Sequence, residues 1–236
     1  SAFKMNKLHL HLTDDHGWRV EIKSHPELCE VGAWRPDRSN LMWRDILPPQ
    51  PGEQSSYGGF YSQDDIREIV RYANALCIDV IPEITLPSHC GALLASAPQL
   101  SCNGGDYHVQ VGPCDTLRSE LCVGSDSVLS YLYEVLDEIV DLFPGKYVHI
   151  GGYEVDGSHW MQCPKCVHRM NQEKLRNVQQ LNDWFQAEIV AYLSAKNKIS
   201  IGATPNTLLP SDGSYGGMAH KSQADAMRML RSDIPV

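Results

Sequence analysis

The chain has 236 residues, of which 42% are hydrophobic and 21% charged, and its formal net charge is −9 at pH 7. This length and composition suffice for a buried core and exclude a largely disordered chain. The negative balance without a basic cluster excludes nucleic acid as a partner, and no run approaches the roughly 18 apolar residues of a membrane span, so no membrane partner is expected.

Patterns of apolar residues predict a first strand–helix–strand unit. The alternation over 7–12, KLHLHL, predicts a strand that runs into polar residues. Ser62 precedes 63–76, where apolar residues recur at helical spacing, and Asp65 stands three residues after this capping serine. The apolar run over 78–84, IDVIPEI, predicts a second strand that again ends in polar and turn residues.

The same cycle repeats in the second half of the chain. Apolar spacing over 128–140 predicts a helix that ends before Pro144, and 147–150 is the third predicted strand. A helix over 175–193 and an apolar run over 199–202 complete the pattern. Strands that alternate with helices predict a parallel sheet with helical crossovers, either a (β/α) barrel or a doubly wound sheet.

Two features favour the barrel. Each predicted strand ends in polar residues suited to chemistry, and no GxGxxG or P-loop sequence follows a strand. A complete barrel needs about 250 residues with every unit present, whereas the signals after Pro210 are weak. We therefore predict an α/β fold of the TIM type, partial or complete, as a single domain over 1–236. A partial barrel exposes a strand edge, so we expect self-association, a partner chain that completes the barrel, or further strands hidden in the tail.

The chain contains eight cysteines, which leave the redox compartment open. Cys102 and Cys122 flank a glycine-rich polar segment, where a disulfide would staple a loop with little core of its own. Cys163 and Cys166 form a CxxC, which needs two further ligands to hold a structural zinc ion, and there is no second CxxC. We rank a zinc site below a local disulfide or free thiols and predict no metal site.

Carboxylates and imidazoles collect at the ends of the predicted strands. Asp14 and Asp15 follow the first strand, Glu83 and His89 lie at the second, and Glu154 follows the third. On a barrel these ends converge on one rim, where such groups suit acid–base work on a polar substrate such as a glycoside. Aromatic residues near these segments can stack on sugars, although each one alone is more commonly core packing: Trp18, Trp34, Tyr153 and Trp160.

Four segments resemble the family 20 glycoside hydrolases, the β-N-acetylhexosaminidases, and occur in that family's order. They are KMNKLHLHLTDDHGWRVEIKSHPELCEVGAWR, YGGFYSQDDIREIVRYA, VIPEITLPSH and FPGKYVHIGGYE. The resemblance implies a TIM-barrel hydrolase that acts on glycans with terminal N-acetylhexosamine and uses no metal or organic cofactor. It also implies that the family's first strand, and possibly its last strands, are missing from this chain. Together with the cysteine count, the family favours a secreted or periplasmic location.

The family's reaction is assisted by the substrate. The 2-acetamido oxygen of the sugar attacks the anomeric carbon while a glutamic acid protonates the leaving oxygen. Glu154 matches that acid. Tyr153 stands where the family has an aspartate that orients the acetamido group and stabilises the positive charge on its nitrogen. Both residues are the expected catalytic positions.

Further positions are expected to bind the substrate or support the acid; they are Asp14, His11, His89, Glu83 and Trp160. Asp14 matches the family aspartate that supports the acid, and His11 matches a histidine on the same strand. By contrast, Asp15 is expected to be a turn residue or cap. His9 is expected to be a packed imidazole that hydrogen-bonds a neighbour.

Two other motifs depart from the family. His89 matches the histidine of a PGH motif, but Thr85 replaces its usual aspartate partner and Ser88 replaces the glycine. Residues 202–205, Gly-Ala-Thr-Pro, replace Gly-Trp-Asp-Glu and so remove an aromatic wall of the acetamido pocket. Loss of one preorganised electrostatic group typically costs about a hundred- to a thousandfold in rate, so these changes predict weak or absent turnover.

Three functions remain open at this point. The first is a glycosidase in which the phenol of Tyr153 replaces the aspartate by hydrogen bonding. The second is a carbohydrate-binding or interaction protein derived from that enzyme, which keeps a sugar pocket without hydrolysis. The third is a structural remnant that assembles with another chain and has no affinity for sugar.

Overall fold

The structure, a computed structural model, describes residues 4–50, 52–112, 119–202 and 213–218. The strands are β1 (Lys7–Asp14), β2 (Gly17–Trp18), β3 (Trp34–Arg35), β4 (Tyr57–Gly58), β5 (Asp79–Leu86), β6 (Tyr147–Gly151), β7 (Ile199–Gly202) and β8 (Tyr215–Gly217). The α-helices are α1 (Glu27–Glu30), α2 (Gln63–Ala75), α3 (Gly91–Ser96), α4 (Asp126–Leu142), α5 (Pro164–Gln172) and α6 (Val178–Ala195). Short 3-10 helices cover Trp43–Asp45, Pro98–Leu100 and Ser158–Gln162.

The main sheet has the strand order β2-β1-β5-β6-β7-β8, and neighbouring strands from β1 to β8 are parallel. β2 is the antiparallel hairpin partner of β1, and β3 and β4 form a separate two-stranded ribbon. A doubly wound sheet reverses its strand order at a switch point, whereas a barrel adds each new strand on the same side. The order here never reverses, so the α/β fold is of the TIM-barrel type, as predicted.

Two predicted helices show how local capping sets their starts. In α2 the side chain of Ser62 accepts from the N–H of Asp65, and the carboxylate of Asp65 accepts from the N–H of Ser62. This reciprocal box confirms the predicted start. The helix predicted from residue 175 begins later, at Val178, because the side chain of Asn177 accepts from the N–H of Gln180 and caps it.

β8 is a fifth parallel strand that the pattern did not reveal. It consists of Tyr215, Gly216 and Gly217, a sequence without the alternation that marks a strand. Tyr215 is buried, and its ring lies against β7 so closely that a Cβ atom on Gly202 would be 2.3 Å from the phenol oxygen. The glycine in β7 therefore makes room for the aromatic ring of the next strand.

The core lies between the parallel sheet and the helices that follow its strands. α4 contributes Leu132, Val135, Leu136 and Ile139, and α6 contributes Phe185, all essentially without solvent exposure. Full burial of such a side chain stabilises the fold by about 1.5–3 kcal/mol relative to exposure. Within the described part of the chain, the helices are too short or too polar to span a bilayer.

One side of the sheet is open beside β1 and α2. β1 pairs with β2 only through Thr13 and Asp14, so most of its outer edge has no strand partner among the described residues. Exposed apolar side chains, including Met5, Leu8 and Tyr72, line a cavity of about 630 Å³ next to this edge. Such an edge fits the sequence expectation of self-association or a partner chain, which stays a prediction.

Glu138 on α4 ties the segment after β2 to the helical layer. Its carboxylate accepts hydrogen bonds from the N–H groups of Lys23 and Ser24, each at 2.8 Å, from the Ser24 hydroxyl at 2.7 Å and from the Gln63 amide. Every partner of the carboxylate is a donor, so an anion satisfies them and an amide cannot.

We predict that Glu138→Gln lowers the free energy of unfolding by about 1–3 kcal/mol, because the new amide turns N–H groups toward other donors. Chemical denaturation measures the change. Asp141→Asn on the same helix is the control, since its exposed carboxylate lies 3.9 Å from Arg67 and such a pair is worth little. An equal loss in both variants would contradict the role given to Glu138.

Candidate active site

Polar side chains from neighbouring parallel strands surround Glu83. The register sets Glu83 beside His11 of β1 and His149 of β6. Glu83 is 3% exposed, with His9 Nε2 at 2.6 Å from one carboxylate oxygen and His149 Nδ1 at 3.3 Å from the other. Burial opposes ionisation of Glu83, but hydrogen bonds from His149 and His9 outweigh it and hold the pKa of this carboxyl well below its usual value. Glu83 is therefore a buried anion.

The phenol of Tyr153 is directed at this anion. Its hydroxyl donates to Glu83 Oε1 at 3.0 Å and lies 3.3 Å from Thr85 Oγ1 and 3.4 Å from His11 Nε2. Burial raises the pKa of Tyr153, and the negative charge of Glu83 raises it further. Tyr153 is thus a neutral phenol that donates its hydroxyl hydrogen bond to Glu83.

A double glycine turns the chain from β6 toward Tyr153 and Glu154. Gly151 and Gly152 have φ values of 72° and 85°, which favour glycine. A Cβ atom on Gly151 would be 2.9 Å from Thr85 Cγ2, and one on Gly152 would be 2.8 Å from the side-chain nitrogen of a buried glutamine on α6. The close packing explains why a pair of glycines precedes the candidate acid.

Asp15, His89 and Glu154 form a hydrogen-bonded chain at the carboxyl ends of the strands. His89 Nδ1 lies 2.8 Å from Asp15 Oδ2, and His89 Nε2 lies 3.1 Å from Glu154 Oε2. Asp15 is buried and also accepts from the N–H of Gly91 at 2.9 Å and from the Ser119 hydroxyl. The side chain of Glu154 is 48% exposed, so the chain runs from a fixed interior anion to a carboxyl group that solvent or a ligand can reach.

Asp15, His89 and Glu154 stabilise one another's charged forms. The hydrogen bond that His89 donates to Asp15 raises the pKa of His89 despite its burial, and the negative charge of Glu154 adds to the effect. Burial tends to raise the pKa of Asp15, but hydrogen bonds from His89 and Ser119 lower it overall. His89 can therefore donate to both carboxylates, and it holds the Glu154 carboxyl in a defined orientation.

The structure corrects the expectation for the two aspartates. Asp14 accepts from the N–H groups of His16 at 2.7 Å and Gly17 at 3.1 Å, which is the turn-capping role expected of its neighbour. Asp15 instead contacts His89. The inference that His89 lacks an aspartate partner was therefore wrong, because Asp15 supplies one from the turn after β1.

The other predicted site residues lie in different surroundings. His11 and Glu83 lie beside Tyr153, as described above. Trp160 is fully buried and its indole N–H donates to the Leu121 carbonyl at 2.9 Å, so this ring presents no face to a sugar. Its role is to pack the loop that follows Glu154. The altered wall at Ala203, Thr204 and Pro205 lies outside the described residues.

Sequence reasoning missed two buried polar residues of the site. His149 is one partner of Glu83. Glu120 accepts from the N–H of Asp156 at 2.6 Å and of Gly157 at 3.0 Å, which holds the backbone just after Glu154. Alternation along 147–150 could have pointed to His149 as an inward side chain. Nothing in the local sequence around Glu120 signals its partner, because the two lie on different connections.

Two groups among the described residues have the composition of metal ligands. His9, Glu83 and His149 form one, and four cysteine thiols, those of Cys102, Cys122, Cys163 and Cys166, form the other. Hydrogen bonds between the imidazoles and the carboxylate account for the first group. The second revises the sequence interpretation, since the CxxC does have two further thiols beside it and the described cysteines are free rather than paired in a disulfide.

The His89–Asp15 contact predicts a pH-dependent contribution to stability. The raised pKa of His89 stabilises the fold fully below its unfolded value of about 6.5, and this contribution is lost as pH rises through the folded value. The lowered pKa of Asp15 stabilises the fold fully above its unfolded value of about 3.9, and this contribution is lost as pH falls through the folded value. The pair is thus most stabilising between about pH 4 and 6.5.

We predict that Asp15→Asn lowers the pKa of His89 toward that of a free imidazole, as followed by NMR titration with His89→Gln used for assignment. The loss of unfolding free energy is expected to be larger at pH 5 than at pH 8.5. Asp14→Asn is the matched control and should leave the His89 titration in place. A shift of His89 in the Asp14 variant alone would restore the original assignment.

Comparisons with known proteins agree with this geometry. The profile of glycosyl hydrolase family 20, catalytic domain, matches residues 1–204. A β-hexosaminidase of Porphyromonas gingivalis is 37% identical over 228 residues, which is 93% of this chain and 27% of that protein.

Solved structures give the same result. The crystal structure of a β-N-acetylhexosaminidase from Bacteroides fragilis superposes with a TM-score of 0.80 at 32% identity and covers 99% of this chain and 44% of that one. An exo-β-N-acetylglucosaminidase from Vibrio harveyi, solved with N-acetylglucosamine, has a TM-score of 0.79 at 31% identity over 98% of this chain and 36% of that one. The chain thus spans less than half the length of each of these relatives. With most of the sequence matched and the barrel-type sheet carrying acid–base groups at its strand ends, the chain belongs to glycosyl hydrolase family 20.

Proposed function

We propose that this chain carries the acid–base centre of a β-N-acetylhexosaminidase, which removes terminal N-acetylhexosamine from glycans by a substrate-assisted retaining reaction. One observation carries the proposal: the hydrogen-bonded chain from buried Asp15 through His89 to the half-exposed carboxyl of Glu154. The relatives named above are described as hexosaminidases, and one was solved with N-acetylglucosamine, which supports the choice of sugar.

Glu154 acts twice in this proposal. As the acetamido carbonyl oxygen attacks the anomeric carbon, the glycosidic bond breaks and its oxygen takes the proton of Glu154. The Glu154 carboxylate then takes a proton from the water that opens the cyclic intermediate, so the acid is regenerated and the sugar keeps its configuration. His89 positions the carboxyl group in both steps.

Tyr153 makes this reaction slow. The growing positive charge on the acetamido nitrogen needs an anion or strong acceptor beside it, whereas Tyr153 is a neutral phenol that already donates to Glu83. Removal of one such group typically costs about 10²–10³ in rate. The same contact favours the second candidate function, sugar binding without hydrolysis, because it leaves the ring ordered in the site.

We predict that Glu154→Gln shows the dependence on the leaving group that loss of a general acid produces. Hydrolysis of N,N′-diacetylchitobiose, whose leaving oxygen is basic, should fall by about 10²–10⁴, while 4-nitrophenyl N-acetyl-β-glucosaminide, whose leaving group needs little protonation, should lose much less. 4-Nitrophenyl β-glucoside, which lacks the acetamido group, is the control substrate and should not be cleaved. Equal losses on both acetamido substrates would remove Glu154 from the acid role.

We also predict that Tyr153→Asp raises kcat on the nitrophenyl acetamido substrate by about tenfold or more, since an anion then faces the acetamido nitrogen. Tyr153→Phe, which keeps the ring and removes the hydroxyl, should turn over as slowly as the unaltered chain. If Tyr153→Phe abolishes turnover, the phenol itself takes the aspartate's part. If all three forms bind N-acetylglucosamine by calorimetry without releasing product, the binding function replaces the proposed hydrolysis.

A further inference from the structure

Four cysteine thiols meet at one point away from the acid–base centre. Cys122 Sγ lies 3.6 Å from Cys163 Sγ and 3.9 Å from Cys166 Sγ, and Cys102 Sγ lies 3.8 Å from Cys166 Sγ. All four sulfur atoms lie within 4.8 Å of one another. Cys122, Cys163 and Cys166 are buried and Cys102 is partly buried, so the cluster is largely closed to solvent.

These distances are those of sulfur atoms around a single metal ion. A tetrahedral ion with metal–sulfur bonds of about 2.3 Å separates its sulfur ligands by about 3.8 Å. A disulfide requires about 2.05 Å between its sulfur atoms, far below these separations. Clusters of several iron atoms hold their outer thiolates farther apart than this group does, so the space fits one ion.

The other buried cysteines behave differently. The thiol of Cys29 donates to the Val20 carbonyl at 3.3 Å, and that of Cys90 donates to the Thr85 carbonyl at 3.3 Å. Each of these residues is a small core side chain that satisfies its weak donor on the backbone. The four clustered thiols instead have one another as neighbours, which hydrophobic packing alone does not require.

The backbone is shaped to bring the cluster together. The two thiols of the CxxC flank the start of α5, and Cys122 comes from the connection between β5 and α4. Gly124 lies so close to that helix that a Cβ atom would be 2.4 Å from Cys166 Cα.

We propose that Cys102, Cys122, Cys163 and Cys166 bind a structural Zn²⁺ ion that fastens the β5–α4 connection to the segment between β6 and α5. Thiolate ligands in a closed tetrahedral set are typical of structural zinc. Binding replaces the thiol protons, which are released to solvent, and involves no change of oxidation state. The proposal is independent of whether the chain hydrolyses glycosides.

The ion would join the two connections that bear the acid–base groups. His89 lies in the first connection and Glu154 in the second. Between the cluster and Glu154, Trp160 donates to the Leu121 carbonyl, one residue before Cys122. Loss of the ion should therefore loosen Glu154 relative to His89 in addition to lowering global stability.

The test measures zinc in the full chain purified under reducing conditions, loaded with Zn²⁺ and dialysed against zinc-free buffer. Elemental analysis should find about one zinc per chain. Cys122→Ser and Cys163→Ser should each lose most of it, and Cys77→Ser, at an exposed cysteine outside the cluster, should retain it. Chelation of the unaltered chain should lower its melting temperature, and Zn²⁺ but not Mg²⁺ should restore it.

A spectroscopic measurement on the unaltered chain keeps the result independent of variants that fail to fold. Co²⁺ added to the zinc-depleted chain should give the intense visible absorption bands of a tetrahedral thiolate site, and Zn²⁺ should displace them. Retention of no metal by the folded, reduced chain would overturn the proposal. The proposal would also be overturned if mass spectrometry found two disulfides in the chain isolated without reductant and Zn²⁺ did not bind after their reduction. Retention of iron in place of zinc would overturn it as well.

Discussion

The buried anion of Glu83 is the constraint on which the centre of the structure depends. A carboxylate inside a sheet is costly unless hydrogen bonds and charge partners surround it. β1 supplies His9, β6 supplies His149, and the turn after β6 supplies the Tyr153 hydroxyl. Glu83 lies on β5, and its partners come from β1 and β6 on either side and from the turn after β6. Hydrogen bonding to this one charge therefore fixes how the ends of the three strands lie relative to one another.

This constraint changes how the replacement at Tyr153 should be understood. An aspartate at that position would place a second carboxylate near Glu83, and two close anions oppose each other's ionisation. A phenol avoids the repulsion and donates a hydrogen bond. Tyr153 therefore stabilises the buried anion at the position that the resemblance matches to the family's aspartate. Changes at Tyr153 are thus coupled to Glu83 rather than independent of it.

The sequence predicted the elements that have strong local signals. α2 was found because its apolar spacing and its capping serine agree. The parallel sheet followed from the alternation of strands and helices, and the polar strand ends without a GxGxxG or P-loop sequence favoured the barrel over a doubly wound sheet. β8 was not found, since a Tyr-Gly-Gly strand has no periodicity and exists because β7 offers a pairing edge. Elements of this kind depend on tertiary context, which local patterns do not contain.

The candidate site was predictable in its types of residue and less so in their pairing. Resemblance pointed to Glu154 and His89, which lie in contact. Asp14 and Asp15 are neighbours in sequence, and only the turn after β1 decides which carboxylate faces His89. The CxxC likewise gave no sign of its companions, because Cys102 and Cys122 reach it from a different connection. Spacing reveals ligands on one element, whereas contacts between connections require the fold.

Contacts from the β5–α4 connection, rather than β6 itself, hold Glu154 in position. Its φ of 56° is unfavourable for a residue with a side chain, by about 1–2 kcal/mol, and persists only when surrounding contacts hold it. Glu120 holds the backbone just beyond it, and Ser88 donates to the carbonyl just before it at 2.6 Å. Because both residues belong to the β5–α4 connection, whatever fixes that connection to the β6–α5 segment also fixes the Glu154 carboxyl against His89.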